Sequence, residues 1–201
     1  MKDLRRSART LSWILNCCFW LLLARGLFAA GTHALTLHKL FTDPAVLSGK
    51  ADRLTVDWLT IVAVNGFGVN LDGAISMRLV QLIFAAAITV ITCHGILVLK
   101  RVLLPIELDQ PFRSGISADI LCLVKCAVRL GMAENLYMLA VVNVMERHGI
   151  LRFLILSETV SKVSADPSFR PAWFIAAAVL SVLALVFRRG EQLQQLADET
   201  L

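Results

Sequence analysis

The side chains with the most chemistry to offer lie inside the most apolar stretches of the chain. His94 sits in LVQLIFAAAITVITCHGILVL (79–99), and Lys125, Arg129, Glu134 and Asn135 sit in LVKCAVRLGMAENLYML (123–139). An imidazole beside a buried carboxyl can relay protons or sense pH, because burial raises a carboxyl pKa and imidazole titrates near neutrality. The same pair can be a structural hydrogen bond that fixes the register of packed helices, and the residues alone leave both readings open. Cys122 and Cys126 are one helical turn apart, as metal ligands can be. No zinc-type spacing accompanies them, and small buried thiols account for the pair. No metal or cofactor is expected. His-Glu-x-x-His, Gly-x-Ser-x-Gly and phosphate-loop patterns do not occur, so the residues do not predict an enzyme or a catalytic site.

These residues need a membrane to make sense of their surroundings. The chain is 57% hydrophobic and 17% charged, against about 45–50% and about 25% in soluble domains, and its mean hydropathy is +0.71. The apolar residues gather in four blocks, Leu11–Ala30, Leu79–Leu99, Ile120–Met145 and Ala172–Phe187. A helix needs about 20 residues to cross about 30 Å of hydrocarbon. The blocks predict four transmembrane helices, at about 10–31, 77–100, 118–146 and 170–188, in one domain over 1–201. The fold expected is therefore an all-α integral membrane protein with a small extracytoplasmic β-hairpin cap.

The net charge of +5 carries its meaning in its distribution. The N-terminal ten residues, the second-to-third connection and the C-terminal tail hold nine basic residues in roughly 42 positions; the other connections hold seven in about 71. Positive charge concentrates on the cytoplasmic side. Both termini are thus expected in the cytoplasm, on one side of the membrane as an even number of spans requires, and direct nucleic-acid binding is not expected. The start imitates a signal peptide, but its apolar run is long and contains Arg25, so a retained first span is the better reading. All five cysteines (17, 18, 93, 122 and 126) fall in the cytoplasmic half of this layout, so no external disulfide is expected.

The external segments are about 32–76 and 147–169. The first contains RLTVDWLTIVAVNGFGVNLDG, where β-branched residues flank Asn65-Gly66. That dipeptide favours a tight turn with positive φ and predicts a hairpin near 54–71. ILRFLILSETVSKVS (150–164) fits either a third strand or an amphipathic helix on the membrane. In the internal connection, Pro105, Pro111 and Gly115 are expected to break the helix, and Ser114 or Ser117 to cap the next one. Lys125 and Arg129, four residues apart near the expected inner boundary, can snorkel to headgroups.

At about 1.5 Å per residue, Asn16, His94, Glu134 with Asn135, and Ser181 all count to about 9–10 Å from the inner boundary. They form one expected polar layer. Arg25 and Asn143 lie deeper, at about 22 Å, with Glu146 one turn beyond as a second expected group. In the tail, Gly190 is expected to end the fourth span or allow a bend. Arg188, Arg189, Gly190, Leu193, Leu196, Asp198 and Thr200 are then the candidate partner-docking residues.

Three stretches together resemble a known family: GVNLDGAIS (68–76), QPFRSGISADILCLVKCAVRLG (110–131) and FRRGEQLQQLADETL (187–201). The chain resembles the bacterial four-span family filed as domain of unknown function 2975. The Phe-Arg-Arg-Gly and Asp-x-Thr-Leu ending carries most of the likeness. Gln110 stands where the family more often has Asn, and Leu196-Ala197 where it has an acidic residue and Asn. The family has no established activity. Its genes often adjoin a small helix-turn-helix regulator, which implies a membrane regulatory or sensor protein that docks a cytoplasmic transcription regulator. The alternative is an oligomeric transporter, or an accessory subunit of one, using the His94/Glu134 layer; four short-looped spans would then need to assemble as a homo-oligomer.

Overall fold

The computed structural model describes residues 2–42, 51–56, 59–67, 71–108, 115–148, 160–165 and 169–199. Among the described residues, four helices and three strands follow in the order α1 (Lys2–Thr42), β1 (Ala51–Val56), β2 (Leu59–Phe67), α2 (Leu71–Glu107), α3 (Ile116–Arg147), β3 (Val160–Ala165) and α4 (Ala172–Glu199). Pro111, Ser114, Thr200 and the stretch 149–159 lie outside the described residues. By backbone proximity the chain groups into two compact units. One comprises Met1–Gly26, Ala87–Ala133 and Arg170–Leu201; the other comprises Leu27–Ala86 and Glu134–Phe169.

Three helices, α1, α2 and α4, are long and apolar enough to cross a membrane. All run well beyond the apolar blocks. The 41 residues of α1 span about 62 Å at about 1.5 Å per residue, twice the hydrocarbon thickness. Apolarity marks the part of a helix that lipid must solvate, whereas backbone bonding carries the helix on into polar flanks.

Local sequence sets the helix ends. Pro105 does not break α2. It is buried in the last turn, and the helix closes with Leu108 N donating to the carbonyls of Leu104 and Pro105, both at 3.2 Å. So near the end, proline forgoes one ladder bond without disrupting a following turn. Ser117 does not cap α3. Gly115 does: it has φ +103°, a left-handed conformation that favours glycine, and its carbonyl accepts the first ladder bond from Asp119 N at 3.1 Å. Pro171 launches α4, its carbonyl accepting from Phe174 N at 2.9 Å and Ile175 N at 3.0 Å.

In the first unit, Val102 of α2, Ile116 and Ile120 of α3 and Ala184 of α4 form a buried cluster, with Leu123, Leu180 and Phe187 packed against it. Two contacts set α1 against α2. Lys100 Nζ donates to Asn16 Oδ1 at 3.1 Å, and Gly26 meets Thr89 so closely that a Cβ on Gly26 would overlap the Thr89 side chain. Ten residues separate these contacts on α1 and eleven on α2, so the helices run antiparallel. On α4, Ala177 and Ala184 are buried and Ser181 is half-buried, while Ile175, Val179, Val182, Leu185 and Val186 are exposed. Small residues inside and large apolar ones outside is the arrangement of a helix packed on protein and bathed in lipid.

In the second unit, Val141 and Met145 of α3 are fully buried, and the Phe84 and Tyr137 rings lie 5.5 Å apart. The strands form an antiparallel sheet of order β1-β2-β3. The hairpin differs from the one expected. Val56 pairs with Leu59 and Thr55 with Thr60, so the chain reverses between β1 and β2, and Asn65-Gly66 lies inside β2. A turn at 65–66 would need a strand from the Gly- and Asn-containing residues that follow, and α2 already begins at Leu71 with Asp72 in its first turn. The β-branched run before Asp57 is the better partner. Of the two readings of 150–164, residues 160–165 form a strand, pairing Ile61 with Val163.

Candidate functional site

The candidate tail belongs to a helix. Gly190 neither ends nor interrupts α4, which continues to Glu199. One interior glycine costs about 1 kcal/mol, and EQLQQLADE supplies good helix formers after it. A tether adds to this. Ser117 N donates to Glu191 Oε1 at 2.8 Å, and Ser117 Oγ donates to Glu191 Oε2 at 2.9 Å. Ser117 is the second residue of α3, so its N–H has no acceptor within its own helix. Glu191 supplies that acceptor and brings a carboxylate to the positive end of the α3 dipole. Sequence reasoning placed Ser117 at this helix start and missed Glu191; the excess of donors at a helix start was the signal that an acid elsewhere could answer.

Beyond Glu191 the helix is open to its surroundings. Leu193 and Leu196 are 69% and 60% exposed, and Gln192, Gln194, Gln195 and Glu199 are exposed with them. Arg188 and Arg189 are exposed one turn earlier, and Gly190 is half-buried. Asp198 lies in the last turn of α4.

The members of the expected polar layer meet various partners. Asn16 is exposed on α1 and accepts from Lys100. Ser181 Oγ returns to its own helix, donating to the Ala177 carbonyl at 2.8 Å. His94 is exposed on α2 with its Nε2 3.8 Å from Cys122 Sγ, which is twelve residues before Glu134 on α3. Glu134 and Asn135 are half-buried. Of the deeper group, Arg25 is exposed on α1, and Asn143 and Glu146 are exposed on α3. Lys125 and Arg129 are both exposed on α3. Among the described residues, His94, Cys122 and Cys126 are the set that could hold a metal ion.

Comparison with protein-family models, with curated proteins and with solved structures gave no match.

Proposed function

We propose that this chain is a non-enzymatic regulatory protein of a bacterial inner membrane that docks a cytoplasmic partner through the end of α4. In this reading α3 joins α1, α2 and α4 as a fourth span, both termini are cytoplasmic, and the three-stranded sheet is an extracytoplasmic cap. The observation that carries it is the Glu191–Ser117 tether. A frayed end has no use for a fixed orientation, whereas a docking helix needs one, because holding it in place beforehand lowers the ordering cost of binding. Leu193 and Leu196 then offer a short apolar edge flanked by glutamines, fit for a helix-in-groove contact. The resemblance to the four-span family makes a helix-turn-helix transcription regulator the partner proposed.

The test is affinity purification from native membranes of the full chain, a chain ending at Arg189, and the full chain with Leu193→Asp and Leu196→Asp. The last variant keeps Glu191 and so keeps the tether. Recovery of a helix-turn-helix regulator with the full chain alone supports the reading. An unchanged set of co-purifying proteins in all three overturns it.

A further inference from the structure

The cluster of His94, Cys122 and Cys126 joins residues from two helices. Cys122 and Cys126 are four apart on α3, hence on one face, and His94 reaches them from α2. The helices touch there: a Cβ built on Gly95 would lie 3.8 Å from Cys126 Cβ. The Nε2 and two Sγ atoms all lie within 4.8 Å of one another, with His94 Nε2 and Cys122 Sγ 3.8 Å apart. With zinc–sulfur and zinc–nitrogen bonds of about 2.3 and 2.0–2.1 Å, a sulfur and a nitrogen on one ion stand about 3.5–3.8 Å apart, and two sulfurs about 3.8–4.0 Å, at tetrahedral to trigonal angles. The 3.8 Å between His94 Nε2 and Cys122 Sγ already falls in that range, and the other pairs, within 4.8 Å, need to close by at most about 1 Å.

We propose that His94, Cys122 and Cys126 form a binding site for a thiophilic metal cation, zinc(II) being the ion favoured. Two sulfurs and one imidazole nitrogen suit zinc or copper(I) and disfavour magnesium and calcium, which take oxygen ligands. Charge balance chooses between the first two. Two thiolates and a neutral imidazole bring zinc(II) to zero net charge and leave copper(I) at minus one, and a net charge is costly beside apolar helices. On binding, two metal–sulfur bonds form and the two thiol protons leave to solvent. Three protein ligands leave a fourth position for water or a further donor. Cys126 is buried, Cys122 half-buried and His94 exposed, so the histidine is the least covered of the three ligands. The spacing of the cysteines alone suggested only packed thiols; the third ligand, from α2, changes that reading.

The test uses the full chain purified in detergent, reduced and stripped of metal with a chelator. Zinc chloride is titrated against a chromophoric chelator, and cobalt(II) serves as a spectroscopic probe. The expected result is one zinc per chain, two protons released, and a cobalt spectrum of tetrahedral thiolate type. Affinity should fall by more than about tenfold in Cys122→Ser/Cys126→Ser and in His94→Gln, since even outer-shell changes cost about 10–100-fold. Cys17→Ser/Cys18→Ser should bind as the unaltered chain does. A measurement on the unaltered chain guards against variants that fail to fold: zinc should protect Cys122 and Cys126, but not Cys17 and Cys18, from alkylation read by mass spectrometry. Alkylation indifferent to metal, or cluster variants that bind zinc normally, overturns the site. Copper(I) binding without zinc binding, lost in the same variants, upholds the site and overturns the charge argument.

Discussion

Helix α1 carries a single charged residue, Arg25, between Thr10 and His38, yet only Leu37 and Leu40 are buried among its described residues. Trp13, Trp20, Leu21, Leu27 and Phe28 are all exposed. Helix α3 is the reverse. It carries Asp119, Lys125, Arg129, Glu134, Glu146 and Arg147, yet among the described residues it supplies eight of the seventeen buried apolar side chains, from Ile116 to Met145. At 32 residues it is long enough to cross a membrane, but it is not among the three helices that are also apolar enough. Hydropathy therefore reports contact with lipid, and not burial in protein. A helix covered by its neighbours can carry charges on its remaining face, whereas a helix covered by lipid cannot.

The sharpest way to break this contrast is to truncate one side chain on each helix. Met145→Ala removes a fully buried side chain and should destabilise the protein by about 2–5 kcal/mol. Leu21, 70% exposed on α1, loses only contacts that lipid or detergent replaces, and Leu21→Ala should stay within about 0.5 kcal/mol of the unaltered chain. Thermal unfolding in one detergent measures both. Equal effects would mean that Leu21 is covered in the folded protein, by a second copy for example, and the contrast would fail.

Gly26→Ala comes next, because α1 touches α2 there. The added Cβ overlaps Thr89, a short β-branched side chain with little freedom to withdraw. Overpacking of this kind costs about 1–3 kcal/mol. Combining it with Thr89→Gly should return most of the loss. A Gly26→Ala protein with an unchanged melting midpoint would show that α1 does not approach α2 at this level.

How much of this was legible beforehand follows from the same contrast. The apolar stretches of α1, α2 and α4 can be read from composition, because lipid contact selects residue by residue. Pairings cannot. Counting along α2 and α3 sets His94 and Glu134 at one depth, but a depth names no contact, and the neighbour that His94 meets is Cys122. Likewise Asn65-Gly66 is a strong local turn signal that lost to the pairing of Leu54–Val56 with Leu59–Ile61, a contact no local rule includes. The Glu191–Ser117 bonds join residues 74 apart in sequence, and helix propensity alone could not announce them.

The tether gives the third prediction. Glu191→Ala leaves Ser117 N–H and Oγ without their acceptor, and loss of a capping interaction costs about 0.5–2 kcal/mol. The global effect should sit at the low end, because Glu191 is only half-buried. The local effect should be larger: amide hydrogen exchange over 190–199 should accelerate while exchange over 172–186 stays as it was. Glu191→Gln keeps one acceptor oxygen and should fall between. Uniform slow exchange in Glu191→Ala would mean that the tail is held by something other than this bond.

The smallest expected effect is the most informative about α1. Asn16 accepts one hydrogen bond from Lys100 in an exposed setting, and hydrogen bonds contribute about 0.5–1.5 kcal/mol net when they are protected from water. If α1 faces lipid near its inner edge, Lys100 can turn to headgroups or water when Asn16 is replaced, so Asn16→Leu should change stability by less than about 0.5 kcal/mol. Leucine also suits a lipid-facing position better than asparagine does, which pushes the sign toward stabilisation. A loss above about 1.5 kcal/mol would place the Lys100 ammonium in a desolvated setting where its partner cannot be spared. In that case Asn16 would belong to an internal polar layer after all, and α1 would have to be read, like α3, as a helix covered by protein.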